Sequence, residues 1–370
     1  MKDKEISIRS SLETIHVPTQ KLDQIIDDAL FNPPVQKQRK KRFYQVAAAA
    51  AIFIGISMTS IIASPALANF VTQIPVIGTV FDYFAKDNDE FESYGRFSES
   101  VGLSQSSKGI DIIIEQAVYD GTNVTLSFML KSEESLGEAF QIVGIPNVIG
   151  AEGSNTGMKY EYIENVGYVG LITITPDFKN DIERAQANVS WEPNTIITNT
   201  KEIEGNWAFE FAVSQISAEP IVVDEKVTAD GVTVHLKEVT VTDVSVNMDY
   251  QQLVEPALLE EWEFVEAELI ASDNLGNVYK VPYNGGSTDG LSRTREDFNW
   301  TATLGGLNPE AISLTFYPFA TISRFNSETN DSEWEKLEFD AIEIDLINQT
   351  YKIVKDPTIP ELPKEPEDVE

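Results

Sequence analysis

The sequence predicts a mostly β protein with two tandem β-sandwich domains, preceded by a short amphipathic helix and one apolar helix long enough to span a membrane. Three patterns lead to this prediction. Residues beyond 108 alternate apolar and polar side chains in strand-like runs, and the pattern recurs about 120 residues later. Residues 43 to 81 contain no charged side chain. Residues 22 to 30 carry apolar side chains at helical spacing.

Composition agrees with a folded protein. A chain of 370 residues with 42% hydrophobic and 10% aromatic content can build the cores of two or three domains. There is no cysteine, which excludes disulfides, thiolate metal sites and a cysteine nucleophile. An exported domain of this kind must therefore be stabilised by its core alone.

The first predicted element is a helix over residues 19 to 31, within an N-terminal segment of residues 1 to 42. In PTQKLDQIIDDALFNPP (18 to 34), Thr19 is a suitable N-cap, and the prolines at 33 and 34 end the helix. Apolar side chains recur at i, i+3, i+4, i+7 and i+8, which places them in one stripe: Leu22, Ile25, Ile26, Ala29 and Leu30.

This stripe is expected to bind a protein partner. So short a helix is marginal by itself in water, and nothing else in residues 1 to 42 could cover its apolar face. A membrane surface is disfavoured, because Asp23, Asp27 and Asp28 occupy the polar face, where interfacial helices carry Lys and Arg. A groove on a cytoplasmic protein is favoured. The alternative is a frayed tether with accidental periodicity.

The second predicted element is a transmembrane helix over residues 43 to 69. Residues 1 to 42 hold nine Lys and Arg and six Asp and Glu, so 18 basic and 54 acidic residues remain for the rest of the chain. The charges next to the apolar run are the topology signal of a cytoplasmic N-terminus: Lys37, Arg39, Lys40, Lys41 and Arg42. The large acidic part is then extracytoplasmic, and its charge excludes direct nucleic-acid binding.

The apolar run has a second interpretation. Ala66-Leu67-Ala68 fits the A-x-A pattern of a signal-peptidase site, so the run could be a secretion signal that is removed. An N-terminal region of 42 residues is too long for an ordinary leader, and its predicted helix would serve no purpose there. These features favour a retained anchor in the cell membrane, crossed once.

Beyond a juxtamembrane segment (70 to 107), expected to be partly helical, the strands begin. GIDIIIEQAVYDGTNVTLSFML predicts a half-buried antiparallel hairpin that turns at Asp120-Gly121. The β-domains are predicted over 108 to 218 and 222 to 356, each in the immunoglobulin-like size class. SDNLGN (272 to 277) predicts a further hairpin turn, and the acidic, proline-rich tail (357 to 370) is expected to be disordered.

An internal repeat predicts that the two domains are related. The segment GVTVHLKEVTVTDVSVNMDY (231 to 250) resembles the first hairpin when Gly109 is aligned with Gly231 and a two-residue gap is allowed at the turn. VSWEP (189 to 193) aligns with LTFYP (314 to 318). A third match sets residues 207 to 211 against the strand that begins near Trp334.

No motif indicates an enzyme. His235 is expected to face solvent on a strand, and His16 has no ligand partner at suitable spacing. The sequence contains no G-x-S-x-G elbow and no glycine-rich phosphate loop. We therefore expect no catalytic residue, no metal site and no cofactor.

Several motifs together resemble a known family. IHVPTQKLDQIIDDAL, KQRKKR, SPALANFVTQIPVIGTVFDYF and GIDIIIEQAVYDGTNVTLSF resemble Gram-positive membrane proteins with a juxtamembrane domain of unknown function. Members are often described as negative regulators of extracytoplasmic-function sigma factors. The second β-domain resembles the immunoglobulin-like module that often follows.

The resemblance implies an anti-sigma factor. The cytoplasmic helix would cover a sigma factor through Leu22, Ile25, Ile26 and Leu30, while the outer domains sense an unknown envelope ligand or protein. The chain lacks the histidine and cysteine zinc cluster of many anti-sigma proteins, and its cytoplasmic part is short. The alternative is a cell-envelope binding or structural module tethered by its N-terminal helix, without contact to a sigma factor.

Overall fold

The runs of alternating apolar residues form antiparallel strands in a computed structural model, which describes residues 79–86, 91–178, 184–288, 297–326 and 331–362. Strands greatly outnumber helices in these ranges, so the predicted mostly β fold is confirmed. The described ranges contain three short helices: α1 (Val80–Phe84), α2 (Tyr94–Phe97) and α3 (Pro256–Glu261). None of the described helices is long and apolar enough to cross a membrane.

The first domain contains eleven strands among the described residues. They are β1 (Glu99–Ser107), β2 (Ile110–Tyr119), β3 (Val124–Ser132), β4 (Phe140–Val143), β5 (Asn147–Val148), β6 (Gly153–Ile163), β7 (Gly167–Asp177), β8 (Gln186–Trp191), β9 (Thr195–Thr198), β10 (Glu202–Glu204) and β11 (Phe209–Ser214). β1-β2-β3-β7-β6 form one sheet, and β10-β9-β4 and β11-β8-β5 form two smaller ones. The first sheet thus takes in β1, which precedes the boundary predicted at residue 108.

The second domain follows the same plan with longer strands. They are β12 (Ile221–Ala229), β13 (Val232–Val241), β14 (Ser245–Val254), β15 (Phe264–Asp273), β16 (Val278–Val281), β17 (Tyr283–Ser287), β18 (Asp297–Gly305), β19 (Ser313–Asn326), β20 (Asp331–Glu338), β21 (Ala341–Asp345) and β22 (Thr350–Val354). One sheet has the order β12-β13-β14-β18-β17. The other has the order β16-β15-β19-β21-β22, with β20 paired to β19.

Apolar side chains from facing sheets form the two cores. In the first domain, Phe128 of β3 meets Trp191 of β8, with ring centroids 6.1 Å apart. Trp207 is fully buried, and its indole N–H donates to the carbonyl of Ile110 at 3.1 Å. In the second domain, Phe316 of β19 is buried in the same cluster as residues of β13 and β14. Each domain is therefore built as two packed layers.

The two domains share their irregularities as well as their strand order. The pairing of β1 with β2 shifts register after Ser100, and that of β12 with β13 shifts after Val222. The β2–β3 pairing shifts after Ile114, and the β13–β14 pairing after Leu236. In each case the bulge of the second domain lies 122 residues after the equivalent bulge of the first domain. Such bulges are specific features of a sheet, so their repetition supports the predicted duplication.

Two details of the predicted repeat are wrong. Val124 pairs with Tyr119 as Val246 pairs with Val241, so the offset of 122 persists across the turn and no two-residue gap exists. β11 pairs with β8, whereas the strand carrying Trp334 pairs with the distal half of β19. Its counterpart in the first domain is therefore β10. Three residues that alternate between apolar and polar can match almost any strand. The equivalent strand in the other domain is therefore identified by the strand with which it pairs.

The layer opposite each five-stranded sheet differs between the domains. β19 is continuous, but the corresponding chain in the first domain breaks between β8 and β9 at Glu192-Pro193-Asn194. Gly144 lies against this break with φ +92°, where a Cβ would lie 2.7 Å from the carbonyl oxygen of Glu192. The indole N–H of Trp191 donates to the Gly144 carbonyl at 2.7 Å. The break divides this layer into two small sheets.

The remaining predictions concern the turn at 272 to 277, the C-terminal tail and the N-terminal segments. The predicted turn at 272 to 277 joins β15 to β16, with Asp273 accepting the backbone N–H groups of Leu275 and Asn277, both at 2.9 Å. Residues 357 to 362 form no helix or strand. The predicted helix over 19 to 31, the transmembrane helix over 43 to 69, the basic cluster and residues 363 to 370 lie outside the described residues.

Candidate functional site: a three-way junction

Residues 79 to 86 and 91 to 98, which come after the predicted membrane span, lie on the outer face of the first sheet. We call residues 79 to 86 and 91 to 98 the docked segment. α1 begins with a reciprocal cap, in which Thr79 Oγ1 accepts the N–H of Asp82 and Asp82 Oδ2 accepts the N–H of Thr79, both at 3.1 Å. The cap orients a helix of only five residues so that Phe81 and Phe84 point into the protein.

The sheet offers an apolar face to this segment. Ile113, Met129 and Val169 lie side by side on β2, β3 and β7, and all three are buried. They form one cluster with Phe81, whose side chain is 0% exposed. β3 is consequently buried on both faces from Val124 to Leu130, so the prediction of a half-buried hairpin is wrong. The docked segment covers the face that was expected to meet solvent.

Aromatic rings and a lysine complete the packing of the docked segment. Tyr94 lies between Phe81 and Phe91, with ring centroids at 5.5 and 5.2 Å. Lys159 of β6 places its ammonium 3.9 Å from the Phe91 ring centroid and 4.9 Å from that of Phe84. The segment is thus held by apolar contacts and by cation–π contacts from an edge strand.

Polar contacts fix the position of α1 along the sheet. The Val80 N–H donates to Glu115 Oε2 at 3.0 Å, and the Tyr83 hydroxyl donates to Glu161 Oε2 at 2.7 Å. Burial raises the pKa of Glu115, and the nearby Asp82 carboxylate adds to this, whereas the Val80 N–H opposes it. Glu115 therefore holds the start of α1 at a position where burial disfavours its ionised form.

The second domain reaches the same cluster. Val244 lies in the turn between β13 and β14, is 2% exposed and packs with the apolar side chains of the docked segment and the first sheet. The turn is held by Thr242, whose Oγ1 accepts the N–H of Ser245 at 2.9 Å. Three parts of the chain meet here: the docked segment, the outer face of the first sheet, and one tight turn of the second domain.

A buried polar network lies beside Val244. Asp120 is 2% exposed, and its Oδ1 accepts the N–H groups of Thr122 at 2.9 Å and Asn123 at 2.6 Å. Its Oδ2 accepts the hydroxyl of Ser245 from the second domain at 2.7 Å. Burial raises the pKa of Asp120, although these donors counteract the effect. The turn predicted at Asp120-Gly121 is therefore also a contact between domains.

The network continues through Asn123. Its side-chain amide accepts the Thr175 hydroxyl at 2.6 Å and donates to Thr303 Oγ1 at 2.7 Å. Thr303 in turn donates to Asn247 Oδ1 at 2.8 Å, and Asn247 donates to the Asp120 carbonyl at 3.2 Å. We call these residues the polar junction: Asp120, Asn123, Ser245, Asn247 and Thr303. Its closed pattern of donors and acceptors specifies one arrangement of the two turns.

The described side chains of the junction make hydrogen bonds and apolar contacts with one another. No cluster of three or more His, Asp or Glu side chains in the described ranges could hold a metal ion. His235 departs from expectation, because its side chain is only 12% exposed and its Nε2 lies 2.7 Å from Asp224 Oδ1. Neighbouring side chains cover it on the outer face of the sheet, where solvent was expected. The contacts described at the junction join the docked segment, the first domain and the second domain of the same chain.

The residues that the sequence identified as a binding site, Leu22, Ile25, Ile26, Ala29 and Leu30, lie outside the described residues. The junction was missed. One signal for it exists in the sequence, since Thr79 and Asp82 have the spacing of an N-terminal cap immediately before aromatic residues. The partners of Asp120 and Asn123 could not be read from the sequence, because they lie more than a hundred residues away.

Two family models match separate parts of the chain. Residues 38–132 match the model of the family described as Domain of unknown function (DUF4179), which ends where β3 ends. Residues 218–346 match the model described as Family of unknown function (DUF5643) and include β12 to β21. The first match supports the predicted resemblance to proteins with a juxtamembrane domain of unknown function.

Solved structures agree with the fold. A crystal structure described as the conserved domain protein from Bacillus anthracis is 26% identical, with a TM-score of 0.60. The similarity covers 69% of this chain and 93% of that chain. Among curated proteins, none matches this chain.

Proposed function

We propose that this protein is a single-pass membrane regulator of the anti-sigma type. Its cytoplasmic helix binds an extracytoplasmic-function sigma factor, and its outer β-domains respond to an envelope signal. The family resemblance, the apolar stripe of residues 22 to 30 and the charge asymmetry around the predicted span support the cytoplasmic half of this proposal. The three-way junction supports the other half.

The observation that carries the proposal is the burial of Phe81 and Val244 in one cluster. Phe81 lies 12 residues beyond the predicted span, which ends at residue 69, and Val244 belongs to the second domain. A change in the second domain that moves this turn must alter the packing of the docked segment, because a close-packed cluster does not deform continuously. The segment then passes that change to the span and its cytoplasmic helix.

The decisive experiment concerns the cytoplasmic helix. The full-length protein should co-purify with the sigma factor encoded beside it, and Ile25→Asp should abolish this and raise sigma-dependent reporter expression. A charge on the apolar stripe removes the contact, whereas Gln24→Asp adds the same charge on the polar face and is the matched control. If Ile25→Asp retains binding and repression like the wild type, the anti-sigma proposal is wrong.

Retention of the membrane anchor is part of the same proposal. The mature protein should keep residues 1 to 42, and its basic cluster should remain in the cytoplasm. N-terminal sequencing of the protein from unstressed cells checks this. A mature chain that begins at Asn69 would identify the apolar run as a cleaved signal and leave no cytoplasmic helix.

A second function is favoured by a different observation. Trp334 is 67% exposed and Phe325 is 51% exposed, an arrangement typical of a binding surface. On this alternative the tandem domains form a cell-envelope binding module, and the N-terminal helix is only a tether. Deleting residues 2 to 34 should then leave function intact, whereas the anti-sigma proposal requires its loss.

We also propose that both sandwiches are immunoglobulin-like. Their size and their antiparallel strands, shared between facing sheets, support this assignment.

A further inference from the structure

β6 is a long and regular edge strand of the first sheet. Among the described residues it pairs only with β7, and this pairing runs from Gly153 to Ile163 without a register shift. The strand contains no proline. The strand at the same sheet position in the second domain, β17, has five residues and a register shift between Tyr283 and Gly285. Short strands and bulges protect an edge against further pairing, so β17 is protected where β6 is open.

The backbone groups of Tyr160 point away from β7. The Lys159 carbonyl points towards β7, because its oxygen lies 2.6 Å from the position that a Cβ on Gly170 would take. Successive residues of a strand direct their N–H and C=O groups to opposite sides. Met158, Tyr160 and Tyr162 therefore present these groups to the open edge, where another antiparallel strand can pair with them.

The side chains of β6 are arranged symmetrically about Tyr160. Met158 and Tyr162 lie two residues to either side of it, and they are large side chains with exposed fractions of 39% and 62%. Lys159 and Glu161 lie one residue to either side and carry opposite charges. A two-fold axis at Tyr160 sets Met158 opposite Tyr162 of a second copy, a favourable sulfur–aromatic pair, and Lys159 opposite its Glu161. Each of these pairs then occurs twice.

The two charged side chains of this register contact the docked segment on the outer face. The Lys159 ammonium lies 3.9 Å from the Phe91 ring centroid, and Glu161 accepts the Tyr83 hydroxyl at 2.7 Å. These contacts hold the two side chains on the outer face of the sheet, whereas charged side chains that protect an edge obstruct the approach of another strand. The register requires no new ion pair from them. It only avoids placing like charges opposite each other.

The register also fits the length of the open edge. Near the start of β6, the Asn155 side chain donates to the Asn284 carbonyl, so the first domain meets the second there. At its other end, β6 turns into β7 after Ile163. With Tyr160 at the centre, residues 157 to 163 of two copies pair with one another. The pairing therefore uses the part of β6 between the interdomain contact and the turn.

The symmetry is compatible with anchoring in one membrane. Antiparallel strands at the centre of a continuous sheet are related by a two-fold axis perpendicular to that sheet. The docked segment of each copy lies on the outer face of its own first sheet, so both docked segments lie on the same face of the joined sheet. The predicted spans that precede them can then enter one membrane side by side.

We propose that two copies of this chain pair through their β6 strands, antiparallel and centred on Tyr160, so that their two five-stranded sheets join into one. The pairing concerns the first domain and does not depend on the proposed anti-sigma function. Failure of the sigma factor to co-purify would leave the pairing intact, and failure of the pairing would leave the proposed contact of the cytoplasmic helix intact.

Cysteine substitutions test the register, because the chain has no cysteine of its own. Full-length copies with Met158→Cys and with Tyr162→Cys, produced in the same cells, should form a disulfide-linked dimer on mild oxidation. Their paired Cα atoms would lie about 5.5 Å apart, which suits a disulfide. Either variant alone should not, since its two cysteines would lie at least about 13 Å apart. Tyr351→Cys is the matched control, 40% exposed on edge strand β22, and should not cross-link with either variant.

A proline tests the open edge itself. Met158→Pro removes an N–H that points away from β7 and keeps the hydrogen bonds between β6 and β7. The dissociation constant of the purified full-length dimer, measured by analytical ultracentrifugation, should rise at least tenfold. Met158→Ala keeps the N–H and should raise it less. Circular dichroism checks that both variants fold.

Three results would overturn the proposal. The first is a wild-type chain that sediments as a monomer at micromolar concentration. The second is a disulfide-linked dimer of Met158→Cys with itself, which would mean a different register. The third is a cross-link from either cysteine to another protein with no dimer formed, which would assign the edge to a different partner. The cysteine results stand even if Met158→Pro fails to fold.

Discussion

The fold holds the Glu115 side chain in a position where its ionised form is disfavoured. Its carboxyl group lies under the docked segment, half-buried, and accepts the Val80 N–H. Removal of a carboxylate from water disfavours its charged form, and the hydrogen bonds with Val80 and Ser127 do not offset this, so the pKa of Glu115 is raised. The burial of Glu115 is unfavourable for its charged form, but its hydrogen bond with the Val80 N–H positions the first turn of α1.

Glu115→Gln tests this balance through pH. An acid whose pKa is raised by folding binds more protons in the folded than in the unfolded state. Its contribution to stability is therefore largest below the unfolded pKa, about 4.3, and falls as pH rises through the folded pKa. Gln keeps an acceptor for Val80 without titrating. Urea unfolding at a series of pH values should show the variant gaining stability relative to the wild type above about pH 4.

The exposed Glu210 provides the matched control for this experiment. Glu210→Gln removes the same charge from β11, where the side chain faces solvent. Its stability difference from the wild type should show a much weaker pH dependence. A stability difference for Glu115→Gln that stays constant with pH would show that burial does not govern this carboxyl group.

At the scale of elements, α1 is too short to be stable without the sheet beneath it. Phe81→Ala deletes the most buried ring of this helix, and the loss should be about 3 to 5 kcal/mol, enough to release the docked segment while the sandwich remains folded. Hydrogen exchange should show lost protection in residues 79 to 86 and 91 to 98 and retained protection in β3. Lys86→Ala, at an exposed position of the same segment, should change neither.

Prediction from sequence succeeded for elements whose signal is local. The alternation of apolar and polar residues predicted β2 and β3, and the Asp-Gly pair predicted the turn between them. Each of these patterns lies within a few residues of the chain. The burial of β3 was missed because Thr125 and Ser127 indicated a solvated face. Both hydroxyls have partners on this face of the sheet: Thr125 Oγ1 lies 3.3 Å from Thr173 Oγ1, and Ser127 Oγ accepts the Gln116 N–H at 3.1 Å. Polar residues can be buried once such partners exist.

The same reasoning explains what the sequence could not show of the candidate site. A strand and its turn are set by neighbours in the chain, whereas the polar junction is set by pairs such as Asp120 and Ser245, 125 residues apart. Nothing in a single sequence marks which of its many acidic residues will be buried. The junction therefore became visible only with the fold.

At the scale of the whole molecule, the polar junction should make the two domains unfold together. Asn123→Ala combined with Thr303→Val removes the partners of the buried Asn247 amide oxygen and of the half-buried Thr175 hydroxyl, and each loss should cost about 1 to 3 kcal/mol. Calorimetry should show one transition for the wild type and two for this variant, because each sandwich has its own core.

Thr233→Val supplies a comparison for that experiment. Thr233 shares a hydrogen bond of 2.9 Å with Thr228 on the outer face of the second domain, away from the junction. Its loss should lower the midpoint slightly and keep a single transition. A double variant that still unfolds in one step, at the wild-type midpoint, would mean that the junction does not couple the domains.

The docked segment has a consequence for synthesis. A ribosome completes Phe81 well before Leu171, the β7 residue that shares its cluster, and later still adds Val244. At about 5 to 20 residues per second, Phe81 and its neighbours remain uncovered for roughly 5 to 20 s before that part of β7 has been made. During that interval the newborn chain exposes several aromatic side chains, and a chaperone at the site of synthesis is the natural agent to shield them.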